Sequence, residues 1–298
     1  MRVAVLGMGH MGRAVAERLL GQGFDVTVWN RTPGRVAGLL GVGATEAPTP
    51  RDAARDTGAV LMSLADDRAV LDVMARLTGR PAPRTAADAP GGAPTGSGPV
   101  VVDMSTVSPA TSRRLRDAAP GRRFTAAPIM GGPQAVVAGE ASGLLGGHAT
   151  LVERLEPLWT RLFSVYWQCG DDPGAATAYK LLNNYLLMSG VAALAEAVAT
   201  AEAAGLDPAM TRRLLSHLPT VAPALGNRLD DLVGGDHRGW FATRLGAKDV
   251  RLFAEVAEAH GVSPPLARLV ERRYEEAAAR GWAEADIAAV VELLRAGR

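Results

Sequence analysis

The chain has a single cysteine, Cys169, among 298 residues. It can form no disulfide within itself, which leads one to expect a reducing compartment, the cytoplasm. No base stands beside Cys169 in the sequence, so an inert thiol is expected and not a nucleophile. Charge of one sign is also lacking: 32 basic residues face 31 acidic ones, a formal net charge of +1. Nucleic-acid binding needs a clustered basic excess, so no nucleic-acid partner is expected. The histidines, His10, His148, His217, His237 and His260, are scattered without metal-ligand spacing, and no metal is expected. Unbroken apolar runs are missing too. The opening MRVAVLGMGH meets a glycine too soon for a signal-peptide core. The stretch Leu181 to Ala201 is apolar but carries Asn183, Asn184 and Glu196, which are costly in lipid. A buried interdomain helix is expected there, and no membrane partner. No internal repeat is visible.

What the chain does have is length for two domains and 48% hydrophobic residues, enough for two cores. Short apolar runs at Val3–Leu6, Val26–Trp29, Ala59–Leu64 and Val100–Val102 end in turn residues. Amphipathic stretches such as Arg13–Leu20 lie between them, the pattern of parallel βαβ units. The Pro-, Ala- and Gly-rich segment Gly79–Pro99 is expected to be a flexible surface loop. From Asp171 the character changes. Asp171 or Asp172 can cap a helix with Pro173 in its first turn, running to about Ala204 and stopped by Gly205. Asp207-Pro208 starts another helix, and Gly261, Pro264, Pro265 and Gly281 punctuate two more. No strand pattern follows residue 168.

Directly after the first strand, Gly7, Gly9 and Gly12 form a GxGxxG at the start of a helix. In such a turn the first glycine makes the bend. The second admits a pyrophosphate, and the third lets helix and strand pack closely. The helix N-terminus adds free N–H groups and its dipole. The segment Gly7-Met8-Gly9-His10-Met11-Gly12 is thus a dinucleotide-binding turn. The fold class is α/β: an N-terminal Rossmann domain over residues 1–170 and an all-helical C-terminal domain over 171–298. One long interdomain helix joins them.

The cofactor choice is read where the second strand ends. An acidic residue there marks NAD. This chain has Asn30-Arg31-Thr32, with no carboxylate to repel a 2′-phosphate and an arginine able to grip one. NADPH/NADP is therefore expected, ahead of NAD.

Lys180 shares a helical face with Asn184, Leu187, Val191 and Leu194. Burying an amine on an apolar seam is costly. It either snorkels near the helix end or serves as a general acid. Asn183 and Asn184, one turn on, tilt the reading toward chemistry. Lys248 falls on a similar seam with Leu245, Leu252 and Val256. Asp103-Met104-Ser105-Thr106 follows a buried strand, where binding-crevice residues lie. Met130-Gly131-Gly132 ends a further strand-like segment, and its paired glycines can expose N–H groups to a carboxylate.

Taken in order, these segments resemble the β-hydroxyacid dehydrogenase family, that of 3-hydroxyisobutyrate and 6-phosphogluconate dehydrogenases. GMGHMGRAVAERLL is similar to the family's cofactor turn, and DMSTVSPATSRRL to its DxST segment. APIMGG is similar to its APVSGG loop, GAATAYKLLNN to its GxxxxKxxNN helix, and AKDVRL to its KD segment. The resemblance implies Lys180 as catalytic acid/base, with Asn183 or Asn184 as its neighbour. It implies that Ser105 and the Gly131-Gly132 amides hold a substrate carboxylate beside Met130. Leu64, Ala65, Thr106 and Lys248 would line the nicotinamide side. Met130 stands where the family usually has serine, and Ala126 where aspartate often precedes Ala-Pro.

The stretch VTVWNRTPGR also resembles imine reductases, a related branch that usually carries Asp or Tyr where this chain has Lys180. Three functions are therefore weighed. The first is an NADP-dependent oxidoreductase acting on a 3-hydroxyacid or short semialdehyde. The second is an imine reductase or reductive aminase using NADPH, and the third a cofactor-binding protein without turnover. The long apolar helix suggests a homodimer or higher homo-oligomer.

Overall fold

The computed structural model describes residues 1–85 and 93–296. Residues 86–92, inside the expected Gly79–Pro99 loop, lie outside the described residues. The chain divides into two compact units, Met1–Lys180 and Leu181–Arg298. The division falls inside the long helix.

The first unit is built on a parallel six-stranded sheet. Its strands are β1 (Arg2–Leu6), β2 (Asp25–Trp29), β3 (Thr45–Glu46), β4 (Ala59–Met62), β5 (Val100–Asp103) and β6 (Phe124–Ala126), in the order β3-β2-β1-β4-β5-β6. β1 and β4 lie inside the sheet and are almost wholly apolar, as strands covered on both faces must be. One face buries Val3, Val5, Leu19, Val28 and Leu61; the other buries Leu6, Met62, Val70, Leu115 and Phe124. The strand order reverses direction at β1 and β4, and in such sheets ligands bind beyond the carboxyl ends of the strands there.

A second, three-stranded sheet joins β7 (Ile129–Met130), β8 (Ser142–Leu145) and β9 (Val165–Gln168). Sequence periodicity does not separate it from its surroundings, because β7 has only two residues and Gly143 sits in β8. β3 escaped for the same reason: two exposed residues, Thr45 and Glu46, carry no alternation.

The expected helix after Asp172 spans Pro173–Ala203, 31 residues. Its start is pinned. Asp172 Oδ1 accepts from Gly174 N at 3.1 Å, and the Asp172 carboxylate pairs with Arg113 at 2.7 Å. By length and composition it is the one described helix able to cross a membrane, and 33% of its most apolar window is buried. That is less burial than the sequence led one to expect. Tyr179, Leu182 and Leu186 share an outward face at 54%, 47% and 69% exposure, while Met188, Val191, Ala195 and Val198 turn inward. Apolar composition alone does not tell which stripe a single chain covers.

The second unit is helical, and no strand occurs among its described residues. Asp207 caps the next helix by accepting from Met210 N at 2.7 Å, and Gly205, Gly261 and Gly281 take the left-handed conformation where helices stop. The Thr243–Ala259 and Pro265–Ala277 helices pack against the long helix through Val250, Ala254, Val270 and Tyr274.

Candidate functional site

Two groups of residues carry the candidate chemistry. The first gathers at the carboxyl ends of β1, β2, β4 and β5. Gly7 adopts φ 101°, a left-handed value that favours glycine. Its N–H donates to the Trp29 carbonyl at 2.9 Å, which locks the turn to the end of β2. A Cβ on Gly7 would fall on the Ser63 carbonyl, and one on Gly12 would fall on the Gly7 carbonyl. Those two glycines are demanded by the protein itself. A Cβ on Gly9 meets no protein atom within 4 Å. Gly9 is the N-cap of the His10–Gly21 helix, and its carbonyl accepts from Arg13 N. The N–H groups of His10, Met11 and Gly12 are therefore first-turn groups without intrahelical partners. A turn open at Gly9 beside a helix N-terminus fits a dinucleotide pyrophosphate.

Met8 is buried at 4% exposure, and its N–H donates to Asn30 Oδ1 at 2.9 Å. That amide is engaged inside the protein and is not left for a phosphate. Asn30 Nδ2 in turn donates to the Thr32 carbonyl at 2.9 Å. Arg31 and Thr32 are exposed at the end of β2, where they could hold a 2′-phosphate.

Next along the sheet edge, Ser63 N continues the β1–β4 ladder by donating to Leu6 O, and Met104 N continues the β4–β5 ladder by donating to Met62 O. The loops Leu64-Ala65 and Ser105-Thr106 thereby meet. Leu64 N donates to Ser105 Oγ at 2.9 Å, and Ser105 N donates to Asp103 Oδ1 at 3.1 Å. Ser105 is 3% exposed. Its hydroxyl is a tie between two loops, and its own proton is what it can offer a substrate. Asp67 fixes the exit of this loop, accepting from Ser108 N, Ser108 Oγ and Thr111 Oγ1.

Met130 ends β7 and, with Leu64 and Cys169, packs partly buried against the cluster of Leu6, Met62, Phe124 and Leu144. Gly131 takes φ 124°, and it and Gly132 lead into the Pro133–Ala138 helix. Burial pushes the Cys169 thiol up, which makes it less reactive.

The second group lies along the long helix. Ala176 packs against Gly146 of the sheet unit, and Lys180 follows one turn later on the same helical face. Lys180 is 9% exposed and Asn184, the next turn, is 2% exposed. Asn184 Nδ2 donates to Asp249 Oδ2 at 2.6 Å, and Asn184 Oδ1 accepts from Asn183 Nδ2 at 3.0 Å. Lys248 Nζ lies 2.9 Å from Asp249 Oδ1. The chain Asn183–Asn184–Asp249–Lys248 is thus continuous, and the ring stack of Tyr185 on Phe253, 4.1 Å between centroids, closes beside it. Asp249 is the residue that sequence reading missed. Its signal was present in Gly246-Ala247-Lys248-Asp249, but nothing local says that this carboxylate is buried opposite an asparagine. Among the described residues, no His/Cys/Asp/Glu group could hold a metal.

The model of the NAD binding domain of 6-phosphogluconate dehydrogenase matches residues 2–169, and the NAD-binding model of NADP-dependent 3-hydroxyisobutyrate dehydrogenase matches residues 174–294. An uncharacterized oxidoreductase, YfjR of Bacillus subtilis, is 30% identical over 99% of this chain and 100% of its own length. Glyoxylate/succinic semialdehyde reductase 2 of Arabidopsis thaliana is 29% identical over 99% of this chain and 80% of its own. The crystal structure of a 3-hydroxyisobutyrate dehydrogenase from Salmonella typhimurium superposes with TM-score 0.85 at 25% identity, covering 98% of this chain and 99% of its own. Imine reductases are more distant: those of a Pseudomonas species and of Streptomyces aurantiacus superpose with TM-scores 0.58 and 0.60. The chain belongs to the β-hydroxyacid dehydrogenase family and is an NAD(P)-dependent oxidoreductase of the 3-hydroxyisobutyrate dehydrogenase type.

Proposed function

We propose that this oxidoreductase interconverts a short carboxylate-bearing semialdehyde and its 3-hydroxyacid with NADP(H), Lys180 acting as general acid/base. The observation that carries this is a buried amine, 9% exposed, one turn before an asparagine that Asp249 holds in place. When bound, the nicotinamide supplies or accepts the hydride. Lys180 Nζ holds the proton that neutralises the developing alkoxide, and takes it back from the hydroxyl in the oxidative direction. Asn184, with its amide oriented by Asp249, fixes the polar environment one turn from that amine. Ser105 and the Gly131-Gly132 amides are the groups suited to a carboxylate. The Gly7–Gly12 turn, with Leu64, Ala65 and Thr106, is the proposed cofactor cradle, and exposed Arg31 and Thr32 support the 2′-phosphate form.

Met130 favours a second reading. A partly buried thioether where serine is usual makes the pocket more apolar and suits a bulkier imine. NADPH oxidation over a panel of short aldehyde-acids and cyclic imines separates the two. Turnover of aldehyde-acids is expected. Turnover of imines alone would establish the second reading, and nucleotide binding with neither product would mark a non-catalytic binding protein.

The outward apolar stripe Tyr179-Leu182-Leu186 supports a homodimer or higher homo-oligomer, and the single inert thiol supports a cytoplasmic location.

A further inference from the structure

Asn30 reads, in the sequence, as the mere lack of an acidic residue. Its geometry says more. Its carboxamide spans two segments that lie 22 and 2 residues away. Oδ1 accepts from Met8 N–H, inside the glycine turn, and Nδ2 donates to the Thr32 carbonyl, beyond Arg31. The partners leave no choice of amide orientation: an N–H must face the oxygen, and a carbonyl must face the nitrogen. The adjacent bond from Gly7 N to Trp29 O anchors the same turn to the same strand end.

We infer that Asn30 is a positioning residue that couples the pyrophosphate turn to the 2′-phosphate loop, so that one side chain sets the geometry of both phosphate subsites. This rests on the cofactor reading above. Only a carboxamide can make both bonds. A carboxylate keeps the bond from Met8 N–H, loses the donation to Thr32 O and sets two oxygens against each other. It also places a negative charge beside Arg31. Alanine loses both bonds. Asn30 thus differs from Arg31, whose side chain can serve only the 2′-phosphate.

The test is nicotinamide-fluorescence titration of the full chain with NADPH and with NADH, for wild type, Arg31→Ala, Asn30→Ala and Asn30→Asp. Arg31→Ala should weaken NADPH by about tenfold or more, the scale of a charge-assisted hydrogen bond, and leave NADH within about twofold. Asn30→Ala should weaken both nucleotides, each by about threefold to tenfold, the scale of one internal hydrogen bond. Asn30→Asp should restore NADH to about wild-type strength while NADPH stays at least as weak as in Arg31→Ala. That rescue of one nucleotide by the near-isosteric variant is what a general loss of structure cannot produce. NADH binding unchanged in Asn30→Ala would overturn the coupling, as would NADH weakened equally in Asn30→Asp and Asn30→Ala. Should Asn30→Ala fail to fold, Asn30→Asp decides alone: NADH retained while NADPH falls at least as far as in Arg31→Ala supports the coupling, and either NADH lost or both nucleotides unchanged overturns it. A wild-type chain that binds neither nucleotide would instead sink the cofactor reading itself, along with this one.

Discussion

The glycine turn, open at Gly9, and the buried long-helix polar chain are both essential to the proposed reaction, yet they are made from different materials. The turn is backbone chemistry. Gly7, Gly9 and Gly12 act by having no Cβ, and its free N–H groups come from the first turn of a helix. The long-helix group is side-chain chemistry. Lys180, Asn184 and Asp249 act through an amine, an amide and a carboxylate that are costly to bury singly and stable only when matched. The difference teaches that a binding function can be written in local spacing, whereas an acid/base function depends on partners brought from elsewhere.

The largest expected effect lies on the side-chain half. Lys180→Ala should lower kcat by about a hundredfold to ten-thousandfold, the range of positioned general-acid catalysis, with NADPH affinity within a few fold. Lys180→Arg should not rescue, because a guanidinium cannot release its proton near neutral pH. Steady-state kinetics beside a nucleotide titration checks both, and near-normal turnover in Lys180→Ala would move the proton donor elsewhere.

On the backbone half, Gly12→Ala and Gly9→Ala should part company. The first drives a Cβ onto the Gly7 carbonyl, so it should lower Tm and abolish nucleotide binding, at a cost of about 2 kcal/mol or more. The second meets no protein atom, so thermal stability should hold while nucleotide affinity falls. If Gly9→Ala binds nucleotide like wild type, the turn is structural and not a phosphate cradle.

Asp249→Ala should be intermediate. It strands the buried Asn184 amide, at about 1–3 kcal/mol of stability, and should lower kcat more than it raises the KM for nucleotide. Asp249→Asn, which keeps an acceptor, should recover most of the stability. Equal Tm for wild type and Asp249→Ala in thermal melts would refute the matched pair.

The smallest effect should come from Met130→Ser. It trades a partly buried thioether for a hydroxyl and should shift kcat/KM toward smaller hydroxyacids without changing nucleotide binding. An unchanged substrate profile would show that this side chain does not meet the substrate.

The glycine spacing determined the turn and the helix behind it, because those constraints act within a few residues. Pro173 after Asp172 and Gly205 past Ala204 likewise bounded the long helix, since caps and stops are local backbone effects. Tertiary structure alone decided which polar groups meet. Asn184 reaches Asp249 across 65 residues, Leu64 reaches Ser105 across 41, and Met8 reaches Asn30 across 22. No periodicity encodes those pairings. They follow from strand order and helix packing, and the need to satisfy every buried donor then selects the partner.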